Sequence, residues 1–379
     1  MGNRLPITFS TFIFQFSIAT LAALFAQPGP GGGWSQFRAN AALTGVAESS
    51  LPAVLRQLWT VDLGAPVESS AAIAGGVVYI GTGTGELVAI DLATGKQKWR
   101  YAAAPKELGI AESSPAVGAG AVYIGDLTGV LHAVDAATGK ARWTFKAGAE
   151  IKSSPVLAGD RVLIGSYDTH LYAVAVSSGK QLWKAQTANY VHATPAIWGG
   201  VAYFGGCDEI FHGIRLTDGT PVVELGVDGY TIASPAIAAG VAYFGTYSNE
   251  VIAVDIAARR VRWRFADPKR QFPYYSSAAL GGGLVVVGGR DKLVHAIDAA
   301  TGRERWSFTT LARVDSSPAI AGDRVVVGSG DGKLYVLELK TGRKVWEFNA
   351  GAGITASPAI AEGRIVVGDA DGRLYAFGQ

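Results

Sequence analysis

The side chains that offer chemistry in this 379-residue chain follow a period and do not gather into one motif. One residue stands directly ahead of each of eight short triplets, and its type changes from copy to copy. In order these are Glu68, Glu112, Lys152, His192, Ile232, Tyr275, Asp315 and Thr355. Carboxylate, ammonium, imidazole and phenol groups at one equivalent position, amid fixed neighbours, are what a binding surface shows. A solvated rim without a ligand is the competing reading. A second set is aromatic. Tyr190, Tyr230, Tyr274 and Tyr275 precede triplets, while Tyr167 and Tyr247 share a later phase with Cys207 between them. The longest incoming segment, from Ala266 to Tyr275, adds Lys269, Arg270 and Phe272. Tyrosine and arginine are favoured at interfaces, although any single ring is better explained by packing of its own loop. The candidate binding residues are therefore Tyr167, Tyr190, His192, Tyr230, Tyr247, Tyr275, Glu68, Glu112, Lys152 and Asp315.

No catalytic residue and no metal-ligand set is expected. His132, His170, His192, His212 and His295 fall in different repeats and lack metal-ligand spacing. Cys207 is the only cysteine, which excludes an intramolecular disulfide and any multi-cysteine metal site. It reads as a small, semi-buried residue. Asp331-Gly332 and Asp369-Ala370-Asp371-Gly372 have the composition of calcium loops. Their phase matches Thr84, Thr128 and Ser248 in sister repeats, so they read as turn caps. Net charge is +2 and no lysine or arginine run occurs, which argues against a nucleic-acid partner.

The triplets themselves define the elements. They are Ser69-Ser70-Ala71, Ser113-Ser114-Pro115, Ser153-Ser154-Pro155, Ala193-Thr194-Pro195, Ala233-Ser234-Pro235, Ser276-Ser277-Ala278, Ser316-Ser317-Pro318 and Ala356-Ser357-Pro358. Their spacings of 44, 40, 40, 40, 43, 40 and 40 residues are those of four-stranded propeller blades. In the unit from 316 to 348, strands are expected at Ser317–Ala321, Arg324–Val327, Lys333–Leu339 and Lys344–Phe348. The middle two are nearly continuous apolar runs, as in strands covered on both faces. Glycine, at 50 residues, supplies the turns. Trp59, Trp143, Trp183, Trp306 and Trp346 keep a fixed distance ahead of the next triplet. Trp99 and Trp263 stand four and three residues further back, marking insertions, and Val223 fills the remaining slot. One large ring per unit reads as a wedge between neighbours. The last unit ends after its third strand, so Leu55–Asp62 is expected to supply the missing fourth. The fold class is all-β: an eight-bladed β-propeller of four-stranded blades, closed by an N-terminal strand that completes the last blade.

Ahead of the propeller (55–379), residues 1–26 read as a secretory signal with cleavage after Ala26, and 27–54 as a linker and lead-in arm. Arg4 is followed by an apolar run from Ile7 to Ala26, and no cysteine near Ala26 marks lipid attachment. An uncleaved anchor is the alternative for this segment. No later stretch is apolar and long enough to span a membrane, so a periplasmic or secreted location is expected.

Three stretches carry a family resemblance: Ala-Ile-Asp91-Leu-Ala-Thr94-Gly95-Lys-Gln-Lys-Trp99, Ala-Val-Asp135-Ala-Ala-Thr138-Gly139-Lys-Ala-Arg-Trp143 and Ala-Ile-Asp298-Ala-Ala-Thr301-Gly302-Arg-Glu-Arg-Trp306. They resemble the repeat of PQQ-type β-propellers. Trp34-Ser35-Gln36-Phe37-Arg38, with Thr44-Gly45 beyond, is similar to the lead-in of exported PQQ-like and BamB-like propeller proteins. The resemblance implies a non-catalytic, monomeric scaffold without a cofactor, bound to a protein partner in the cell envelope. A carbohydrate-binding propeller that uses the aromatic face for a glycan ligand is a third reading. The remaining alternative is a PQQ-dependent quinoprotein dehydrogenase holding PQQ with calcium. Many such enzymes have adjacent cysteines and long pocket-building insertions, whereas this chain has one cysteine and insertions of four and three residues.

Overall fold

The computed structural model describes residues 33–379 except 107, 108 and 111. The expected secretory signal and most of the glycine-rich linker lie outside these residues.

Thirty-two strands form eight antiparallel sheets of four. The seventh blade runs Ala319–Ala321, Arg324–Gly328, Lys333–Glu338 and Lys344–Asn349. Its second and third strands are buried along their centres, whereas the fourth alternates toward solvent. Period-2 alternation is thus confined to the outermost strand, the one with a wet face. In the last blade, Arg56–Asp62 pairs antiparallel with Arg373–Gly378, setting Trp59 opposite Ala376. Sequence from the two ends of the chain therefore completes one sheet.

The conserved-phase tryptophans dock blade on blade. Six indoles, Trp59, Trp99, Trp143, Trp183, Trp263 and Trp306, donate Nε1–H to a carbonyl of the following blade at 2.8–3.0 Å. Each ring lies on the glycine that ends the third-to-fourth turn there. At Gly139 φ is +71°, and an added Cβ would sit 2.8 Å from the Trp99 ring. The turn is held from within: Asp135 Oδ1 accepts from the backbone N–H and the hydroxyl of Thr138. Two seams depart from this pattern. Val223 faces a turn in which Arg259, at φ +50°, stands in the glycine position, so the wedge and its seat are missing together. Trp346 faces the last blade, where no such turn exists, and packs edge-on against Phe377 at 5.2 Å.

The middle residue of every triplet closes a second ring. The backbone N–H of Ser70 donates to Ser114 Oγ, Ser114 to Ser154, and so on round to Ser357, which donates to Ser70. The eight distances are 2.9–3.1 Å. This is why only serine or threonine occurs there, and why the strand expected from Ser317 begins only at Ala319.

The lead-in arm is the innermost layer. Trp34 to Ser49 passes the blades in order and gives an acceptor to each. Ile73 N–H reaches Trp34 O, Val117 reaches Ser35 O, Leu157 reaches Gln36 Oε1, and Ile197 reaches Ala41 O. Ile237, Leu280 and Ile320 reach Ala42, Thr44 and Gly45, and Gly363 N–H reaches Ser49 Oγ. Arg38 is buried at this centre, donating to Ala278 O at 2.9 Å and Ser317 O at 3.3 Å. Burial pulls its pKa down to about 9. Gly45 arches over it with φ +66°, where a Cβ would sit 1.9 Å from the guanidinium.

Candidate functional site

Strand direction places all incoming loops and all second-to-third turns on one face. A cavity of about 280 Å³ opens there at the channel mouth. Its wall is the serine–threonine ring, Phe37 of the arm contributes to its lining, and all eight residues that precede the triplets line it. Glu68, Glu112, Lys152, His192, Tyr275 and Asp315 are therefore brought together, as are Ile232 and Thr355.

Two clusters flank the cavity. In the first, Glu112 Oε2 lies 3.0 Å from His192 Nε2, a contact that passes over blade three. The other ring nitrogen, Nδ1, is 2.6 Å from the Tyr167 hydroxyl. Tyr190 stacks on Tyr167 at 4.6 Å with planes 6° apart, and Lys152 Nζ stands 5.2 Å from the Tyr167 ring. The hydrogen bond from His192 holds the Glu112 carboxyl below the usual carboxylate range, outweighing its partial desolvation. Burial and the nearby Glu112 charge push the Tyr167 phenol well up, so it stays protonated.

In the second cluster, Arg290 lies 3.6 Å over the Tyr275 ring and donates twice to Asp315, at 2.8 and 3.2 Å. Arg313 Nε reaches Asp315 Oδ2, which Arg290 also engages, at 3.0 Å. Tyr247 packs on Tyr275 at 4.8 Å, and partial desolvation beside that ring raises its phenol. Tyr190, Tyr230 and Tyr247 do not line the cavity. They stand on the surrounding rim, 48%, 51% and 39% exposed. Tyr274, grouped with them in sequence, is buried between blades instead.

Arg290, Arg313 and Phe37 were not among the residues singled out from sequence. Both arginines carried a usable signal, since Arg290 shares the phase of Tyr167 and Tyr247, and Arg313 that of Tyr190 and Tyr230. Cys207 is half-buried, and burial raises its thiol, which makes it a poor nucleophile at neutral pH. Asp331 and Asp369 act as turn caps. They accept from the backbone N–H of Lys333 and Arg373 and from the hydroxyls of Tyr335 and Tyr375. Spacing gave no hint of one further group: Asp267, Asp291 and His295 converge in blade six, with ligand atoms within 4.8 Å of one another.

A sequence model of the family described as outer membrane protein assembly factor BamB matches residues 55–111, 104–272 and 263–378. No curated protein matches the chain. Among solved structures, BamB from Moraxella catarrhalis is similar with a TM-score of 0.71 and 20% identity, over 86% of this chain and 100% of that one. A europium-containing methanol dehydrogenase is similar with a TM-score of 0.77 and 15% identity, over 92% and 98%. Quinohemoprotein alcohol dehydrogenase from Comamonas testosteroni gives 0.75 and 16%, over 92% and 80%. At these identities the solved structures share the fold.

Proposed function

The chain belongs to the family of the outer membrane protein assembly factor BamB, and on that premise we propose that it is an exported, non-catalytic platform that binds a protein partner in the cell envelope. One observation carries this reading. Of the eight large apolar side chains that stand exposed among the described residues, Tyr190, Tyr230, Tyr247, Phe272 and Leu311 lie on the cavity-bearing face. Exposed aromatics around a polar centre are the usual anchors of an interface. The polar groups of the centre are already oriented by one another, so little ordering is needed on binding.

The pairing of charges also bears on the dehydrogenase alternative. Calcium takes six to eight oxygen ligands. In the cavity, Glu112 is engaged by His192, and both Asp315 oxygens are engaged by Arg290 and Arg313. These carboxylates do not fit a calcium–quinone pair as they stand. The described residues contain no helix long and apolar enough to cross a membrane.

The test is capture from a solubilised envelope fraction. The triple variant Tyr190→Ala, Tyr230→Ala, Tyr247→Ala should lose most capture while melting like the parent, since central aromatics carry about 2 kcal/mol or more each. Glu68→Ala with Thr355→Ala, on the opposite arc, serves as control. Capture that survives the tyrosine changes and fails in the control would place the partner elsewhere. Alcohol or sugar oxidation on adding PQQ and calcium would favour the enzyme instead.

A further inference from the structure

We propose that Asp267, Asp291 and His295 of blade six form a binding site for a divalent transition-metal cation of the zinc type. The site is separate from the cavity and independent of the platform reading.

His295 lies in the third strand, Leu293–Asp298, and is completely buried. Its Nδ1 is 2.6 Å from Glu304 Oε1. An ionised carboxylate only accepts, so Nδ1 carries the proton and Nε2 is aimed inward. There it meets Asp291 Oδ2 at 2.7 Å and the Tyr274 hydroxyl at 3.5 Å. The Asp267 carboxylate arrives from the longest incoming loop, within 4.8 Å of the other two ligand atoms.

Sister blades show what a purely structural version looks like. His132 and His212 occupy the same phase and each caps the aspartate of its own turn at 3.0 Å. One carboxylate per imidazole is enough for that purpose. The second nitrogen of His132 faces a phenol, Tyr101, at 3.1 Å. Blade six instead sets three carboxylates, from Asp291, Glu304 and Asp267, around one imidazole. Of these, Asp291 is buried at 4% exposed, Asp267 is half-buried and Glu304 reaches solvent. Arg270, on the same loop as Asp267, gives its Nη1 to the Asp291 backbone carbonyl. Buried charge is costly unless it is matched.

A second observation points to a ligand. Tyr274 is 1% exposed, and among the described residues its hydroxyl makes one polar contact, to His295 Nε2. When Nε2 donates to Asp291 at 2.7 Å, the Tyr274 hydroxyl is left with this one long contact of 3.5 Å. It is a buried polar group aimed at the point where the carboxylates converge. A dication there would take the place of the Nε2 proton, which leaves to solvent. It would be held by one imidazole nitrogen and two carboxylate oxygens, with the Tyr274 oxygen or water in fourth place. Glu304 then has the outer role that orients a metal-binding histidine. Imidazole with carboxylates suits zinc-like ions, whereas calcium would need more oxygens than converge here. The bound ion would also fix the loop that presents Phe272 on the rim.

The experiment uses the full chain, stripped with chelator and then titrated with Zn²⁺ and with Co²⁺. One tight zinc equivalent per chain is expected, with four-coordinate cobalt absorption bands and a raised melting temperature. Asp267→Asn keeps the oxygen that accepts from Lys269 and Arg270 N–H, so it should fold normally. Its zinc affinity should fall at least tenfold, and Glu304→Gln should weaken binding about 10- to 100-fold. His192→Ala should bind zinc as the parent does. The assignment is overturned if the parent takes up no stoichiometric zinc, if Asp267→Asn binds it undiminished, or if His192→Ala abolishes it.

Discussion

Turn carboxylates carry much of the polar order inside the blades. Burial by itself would raise Asp126, Asp168 and Asp208, yet all three are held below the ordinary range by hydrogen bonds, chiefly from His132, Tyr172 and His212. On the surface, Arg142 and Arg305 hold Asp135 and Asp298 at about 2. A carboxyl whose folded pKa lies below its unfolded value, about 3.9, stabilises the fold fully above that value. The contribution is lost as pH falls through the folded pKa. Stability measured by urea unfolding should therefore be level from neutral pH down to roughly 4 and drop steeply between roughly 4 and 2. Asp168→Asn should make that drop shallower; an unchanged slope would mean its hydrogen bonds do not discriminate the charged form. The same scale shows what sequence could and could not reveal of the site. The residue ahead of each triplet was readable as one ring because the period is strict, and all eight line one cavity. Their pairing was not readable. Glu112 reaches His192 across a whole blade, and Asp267 meets His295 through an inserted loop, so neither contact leaves a local spacing.

Between neighbouring blades, the unit of construction is a tryptophan and the glycine it rests on. Gly139→Ala forces a Cβ to within 2.8 Å of Trp99 at φ +71°. Strain of about 1–2 kcal/mol for the left-handed residue and roughly 1–3 kcal/mol for overpacking should combine to a loss of about 2–4 kcal/mol. Gly159→Ala, at φ +64° with open space around it, should cost only about 1–2 kcal/mol. Equal losses would show that the ring is not the cause. The blade-four seam offers the converse test. Val223→Trp alone meets Arg259 and should gain nothing, whereas Val223→Trp with Arg259→Gly rebuilds wedge and seat. A coupling energy of about 1 kcal/mol or more is expected from the double-mutant cycle, and strict additivity would contradict the docking account. Tryptophan phase made the wedge legible in the sequence. The joint loss at Val223 and Arg259 was legible only in part, because Arg259 holds a positive φ that no turn residue announces.

Closure of the whole ring rests on three devices of different legibility. The strand Arg56–Asp62 could be inferred from an unpaired third strand at the C-terminus, and the serine ring was visible as a motif without its purpose. The course of the arm could not be inferred. Trp34 to Ser50 has no repeat phase, and Arg38, Ala39 and Leu43 adopt φ of +60°, +73° and +55° that only their surroundings impose. Two truncations separate the devices. Removing residues 27–62 takes away the fourth strand of the last blade and bares the edge Arg373–Gly378. That chain should aggregate or lose most of its thermal stability. Removing only residues 27–50 leaves the strand but strips the arm. Inner-strand N–H groups such as Ile73, Val117 and Ile237 would then turn to water admitted into the channel, a loss of about 0.5–1.5 kcal/mol per bond. Exposing the seats of Trp34 and Leu43, both fully buried, adds about 1.5–3 kcal/mol each. This shorter deletion should stay free of aggregation with a clearly lowered melting temperature, and those amides should exchange with deuterium far faster than in the full chain. If it melts and exchanges like the full chain, the arm is a passenger on a ring that the strand and the serines already close.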